Sequence, residues 1–74
     1  MKSMSCHQLG GACEEVFTAE TFDELAQQSQ LHGREMATAQ EPAHLAAMQK
    51  MMEIMKSGDM DAWMAARRSE FDSL

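Results

Sequence analysis

Basic residues are scarce in this chain. Six Lys and Arg stand against twelve Asp and Glu, for a formal charge of -6 and a pI near 4.8. A surface of that sign repels a phosphate backbone, and it repels an anionic bilayer for the same reason. Neither nucleic acid nor a membrane is therefore expected as a partner. Long apolar runs are missing too. No stretch of eighteen apolar residues occurs, so no segment is expected to span a bilayer. The opening Met1-Lys2-Ser3-Met4-Ser5-Cys6 leads into polar residues and glycine rather than an apolar h-region. No signal peptide is read there, and a cytoplasmic location is expected. Cysteine is limited to two, and in that compartment both are expected as thiols. Gly10-Gly11 is a turn signal without the spacing of a phosphate loop. No nucleophile, base and orienting group can be assembled, so no enzyme is read.

Length is short as well. Seventy-four residues make one domain, which buries only about 60% of its unfolded surface. A staple, a metal or a partner subunit would help such a chain. Its 45% hydrophobic content, with one proline and four glycines, reads as folded rather than disordered.

The pattern along the chain predicts a small α+β domain: a two-stranded antiparallel sheet packed against three helices. Residues 2–6 alternate, with Lys2, Met4 and Cys6 on one face, as a strand requires. Residues 7–12 form a turn or short helical loop. Residues 14–19 hold Val16, Phe17 and Thr18 and favour a second strand. Because Val16 and Phe17 are adjacent, a bulge or a covered strand is expected there. Thr21 and Glu24 form a capping box for a helix over 22–38. Its inner face carries Phe22, Leu25, Ser29, His32 and Met36. Pro42 suits the first position of a second helix over 42–57, with Gly58 just past its end. Asp59 or Asp61 caps a third over 61–72, whose apolar side is Met60, Trp63, Met64, Arg67, Phe71 and Leu74.

Cys6, Cys13 and His32 form the candidate site. The cysteines flank the glycine turn, and paired strands would bring their sulfurs toward each other. His32 shares a helical stripe with Phe22, Leu25 and Met36, so it points inward. Thiolate and imidazole are the ligands zinc and other thiophilic ions prefer. Glu35, one turn after His32, can serve as a further ligand or as the acceptor behind it. Met36 is a weak soft donor. The C-x6-C spacing is not that of a zinc finger. Two other readings stay open: buried free cysteines with a core histidine, or a reversible dithiol pair. His7 and His44 read as surface residues.

Methionine is the one residue in excess: nine in all, six of them between residues 48 and 64. Leu45, Met48, Met52 and Met55 form a helical stripe, flanked by Met51. Its period makes it a packing face. Part of it, the Met48, Met52 and Met55 face, can instead meet a protein partner or a second copy of the chain.

Residues 1–39 resemble a family of short bacterial and archaeal proteins of unknown function, described as predicted small metal-binding proteins. The likeness rests on Met4-x-Cys6, Leu9-Gly10-Gly11-x-Cys13, the valine–phenylalanine strand, Thr21-x-x-Glu24 and His32. It implies metal binding, with the family's two cysteines at Cys6 and Cys13 and its helical histidine at His32. Many members carry a second histidine five residues later, followed by glycine. Ala37 and Thr38 stand there in this chain. The methionine-rich second and third helices look like an extension found in a subset of members.

Overall fold

A computed structural model describes all 74 residues. The order of elements is β1 (Lys2–Ser5), a 3-10 turn (His7–Leu9), β2 (Val16–Ala19), α1 (Phe22–Thr38), α2 (Pro42–Lys56) and α3 (Met60–Asp72). The fold is a two-stranded antiparallel sheet packed by three helices.

β1 and β2 pair from Lys2 opposite Ala19 to Ser5 opposite Val16. The period of two sends Met4, Phe17 and Ala19 inward, and leaves Ser3 and Thr18 outside, where their hydroxyls bond at 2.9 Å. The adjacency of Val16 and Phe17 needs no bulge. Val16 is exposed, so β2 alternates cleanly from its first residue.

Beneath the sheet, Met4, Cys6, Leu9, Phe17, Ala19, Phe22, Leu25 and Phe71 make one core. Leu25 and Met4 are its most deeply buried large side chains, each worth about 1.5–3 kcal/mol of burial. The 3-10 turn brings Leu9 down into this core and ends at Gly10, whose φ of 90° falls where only glycine sits without strain.

Thr21 caps α1 by accepting from the Glu24 amide at 3.2 Å. The return bond from the Glu24 carboxylate, the other half of the expected box, does not form. Phe22, Leu25 and His32 face inward as the stripe predicts, and α1 lies across β2. α3 is tied back by Phe71, which meets Phe22 edge-on at 5.9 Å and sits under the Lys2 ammonium at 5.0 Å. Leu74, expected on the same apolar side, is exposed beyond the helix end. Asp59 precedes α3 without capping it; its carboxylate accepts from the Ser57 hydroxyl instead.

In α2 the inward row differs from the expected stripe. It consists of His44, Ala47, Met48, Met51 and Ile54, spaced by three and four residues. Leu45, Met52 and Met55 lie outside it and are 42%, 51% and 59% exposed. Treating His44 as a surface residue rotates the helix by most of a quarter turn; burying it restores the phase.

Candidate metal centre

The loop between the strands holds both cysteines. Its two ends are bonded side by side: the Cys6 amide donates to the Glu15 carbonyl at 2.6 Å and the His7 amide to the Cys13 carbonyl at 3.0 Å. Within it, the Cys6 carbonyl accepts from Leu9 and Gly11 at 3.1 and 2.8 Å. Gly11 is required for its size. A Cβ added there would run into the Cys6 sulfur. Cys6 is thus sealed under bare backbone, while Cys13 is half-buried, and both are free thiols.

His32, nearly three turns into α1, is 8% exposed and packs against Phe17, ring centroids 5.5 Å apart. His44, in the first turn of α2, is 6% exposed and meets His32 edge-on at 5.2 Å. His44 is therefore a correction to the sequence reading. It is a buried member of the site.

Cys6, Cys13, His32 and His44 each contribute one donor atom, and these four atoms lie within 4.8 Å of one another. The Cys13 sulfur is 3.3 Å from His32 Nε2, and the Cys6 sulfur is 3.7 Å from His44 Nε2. A tetrahedral zinc ion with Zn–S of about 2.3 Å and Zn–N of about 2.0–2.1 Å sets its sulfur and nitrogen ligands about 3.5 Å apart. The two observed spacings bracket that value. The four residues form a cluster capable of coordinating a metal ion, and a Cys2His2 donor set suits a thiophilic one such as zinc.

Each histidine has a carboxylate behind it, held differently. His44 Nδ1 hydrogen-bonds a Glu41 carboxylate oxygen at 2.7 Å, whereas His32 Nδ1 lies 3.3 Å from an exposed Glu15 carboxylate oxygen, at ion-pair distance without a hydrogen bond. A proton held at Nδ1 by a carboxylate leaves the Nε2 lone pair facing the sulfurs, the tautomer a metal requires. Glu41 does this from the N-cap of α2. Its carboxylate also accepts from the Ala43 and His44 amides, at 3.2 and 2.7 Å. The ring hydrogen bond to Glu41 holds the His44 pKa above its ordinary value of 6.5, and the same bond holds Glu41 below the usual carboxylate range.

Of the residues expected at the site, Cys6, Cys13 and His32 come together. Glu35 does not join the four donors. It stays exposed, at the edge of a shallow hollow it shares with Glu15 and His32, and the carboxylate nearest the His32 ring nitrogen Nδ1 is that of Glu15, at 3.3 Å. Met36 is half-buried on α1, outside the cluster. His7 is exposed, as expected. A further hollow of about 260 Å³ reaches Cys6, His32 and His44, and Gly33, Met48 and Met51 line it from α1 and α2.

Two signals in the sequence could have revealed His44. It stands three residues after Glu41, the spacing that lets an N-cap carboxylate reach back to a histidine ring. It also precedes Met48 and Met51 by four and seven residues, which places it on their face.

Comparison of the chain with protein-family models, with curated protein sequences and with solved structures found no match.

Proposed function

We propose that this chain holds one zinc ion, or another thiophilic ion, through Cys6, Cys13, His32 and His44, and that the ion is a structural staple. The observation that carries the reading is the orientation of the two rings: each histidine turns Nε2 to a cysteine sulfur and Nδ1 towards a glutamate, hydrogen-bonded for His44 and at ion-pair distance for His32. A histidine packed only as a core residue has no need of that arrangement twice at one point. The ligands come from the strand-connecting loop, α1 and α2, so one ion ties together segments whose shared core is small. Chains of this length need such a tie.

A non-catalytic role is part of the proposal. Four protein donors complete a tetrahedral shell and leave no open position for substrate, as structural zinc sites do. We extend the proposal to kinship with the small metal-binding family that residues 1–39 resemble. Support comes from the positions the resemblance carries over, Cys6, Cys13 and His32, which are three of the four clustered residues. A cytoplasmic setting fits the two free thiols.

The test is direct. Reduced protein titrated with zinc should bind one equivalent, and the Cβ shifts of both cysteines should move to metal-thiolate values. If both remain thiol-like at saturating zinc, the reading is wrong.

A second reading concerns the outer side of α2. Leu45, Met52 and Met55 are exposed together there. Met48, expected on the same face, lines the hollow beside Cys6, His32 and His44 instead. The exposed three can form a contact with a second copy of the chain or another protein.

A further inference from the structure

The two cysteines of the cluster are unequal. Cys6 is 3% exposed and closed over by Gly11, whereas Cys13 is half-buried and reachable from solvent. Their sulfurs lie within 4.8 Å, and the loop joining them has both ends bonded to each other. This is the layout of an oxidation-sensitive cysteine backed by a resolving one: a partly exposed sulfur first, a shielded sulfur beside it second.

We propose that Cys13 is a site of oxidation by hydroperoxides, and that Cys6 resolves it to a Cys6–Cys13 disulfide with release of the metal. The proposal rests on the metal-binding reading above. In the first step the Cys13 thiolate attacks one oxygen of hydrogen peroxide. An S–O bond forms, the O–O bond breaks, hydroxide leaves, and Cys13 becomes a sulfenic acid. In the second step the Cys6 thiolate attacks the Cys13 sulfur. The S–S bond forms, the S–O bond breaks and a second hydroxide leaves. The two sulfurs give up two electrons, which the peroxide takes. The ion loses both of its anionic ligands, and two neutral imidazoles do not hold it. A small dithiol reverses the change by taking the disulfide's place as the oxidised species.

Trp63 makes the change visible. It is the sole tryptophan, and its ring lies over Gly10: a Cβ placed there would sit 3.0 Å from the ring. Closure of the loop alters the surroundings of that ring.

The experiment uses the reduced, zinc-loaded full chain with hydrogen peroxide. Zinc release is followed with a chromophoric chelator, thiol state by intact mass, and the loop by Trp63 fluorescence. The expected result is release of all bound zinc together with the loss of two hydrogens per chain, reversed by dithiothreitol and fresh zinc. Cys13→His keeps a nitrogen ligand in place of the sulfur, and it should retain zinc under the same peroxide. Zinc content before peroxide reports on the metal site alone. The mass change reports on the thiol pair whether or not zinc is held. A chain that binds zinc but keeps both thiols, or that gains oxygen atoms without forming the disulfide, overturns the inference.

Discussion

His44 Nδ1 lies 2.7 Å from the carboxylate of Glu41, the N-cap of its own helix, and its Nε2 lies 3.7 Å from the Cys6 sulfur. One side chain thereby joins the start of α2 to the loop after β1, across 38 residues of sequence. The capping of a helix and the orienting of the His44 ring are the same event, because a single carboxylate serves both.

Removing the ligand tests the link most simply. His44→Ala should weaken zinc binding by more than the roughly 10–100-fold that loss of an outer carboxylate costs. It should also abolish the tetrahedral cobalt spectrum. Chelator competition and visible absorption of the cobalt form measure both. An exposed, uninvolved histidine would leave them unchanged.

The outer carboxylates have their own signature. Glu41→Gln and Glu15→Gln should each lower zinc affinity by about 10–100-fold while binding stays at one equivalent. Glu35→Gln, on the exposed side of α1, should have little effect. Calorimetry of the three variants separates them.

In metal-free protein, the His44 ring should titrate above the ordinary histidine range because Glu41 stabilises its charged form. The sign follows from linkage. A raised histidine pKa contributes stability that is fully present below the unfolded value and lost as pH rises through the folded one. Glu41, held low, contributes stability present above its unfolded value and lost as pH falls through its folded one. The apo pair therefore helps most in mildly acidic solution, where both groups are charged. Glu41→Gln should bring the His44 titration down, as followed by its ring proton shifts. Zinc competes with that proton, so metal uptake should improve as pH rises through the His44 pKa.

Gly11→Ala should destabilise the fold by about 1–3 kcal/mol, the usual cost of forcing a methyl group into a packed site. The added Cβ has nowhere to go but into the Cys6 sulfur. Urea unfolding with and without zinc checks the value. A larger loss in the zinc form would show that Cys6 is displaced from the ion.

Met52→Glu should leave folding and zinc binding intact, since Met52 points away from the core. If the outer face of α2 meets a second copy, the substitution should shift sedimentation from dimer to monomer. A monomer before and after removes the self-association reading.

Much of the fold can be read along the chain. The Thr21 cap, the Phe22–Leu25–His32 spacing, Pro42 and Gly58 mark helix ends and faces by rules that act over four residues. The alternation around Met4 marks β1 in the same way. Three of the four clustered donors were legible too, since Cys6 and Cys13 flank a turn and His32 lies on an apolar stripe. Glu35 looked like the partner of His32 because it is one turn away on the same helix. The loop residue Glu15, 17 positions earlier, reaches that ring instead. His44 was missed for the opposite reason. A lone histidine in a first turn looks exposed until the phase of Met48 and Met51 is fixed against a neighbour.

The scarcity of basic residues and of long apolar runs, the two cysteines about a glycine turn, and the helix boundaries belong to the sequence alone, because composition and local spacing set them. Which way α2 turns, that Cys13 pairs with His32 while Cys6 pairs with His44, and which glutamates stand behind the histidines are decided only by tertiary structure. Those relationships depend on how α1 and α2 dock on the strand-connecting loop. That docking is a balance of core packing and donor geometry between residues far apart in sequence, and no local period encodes it.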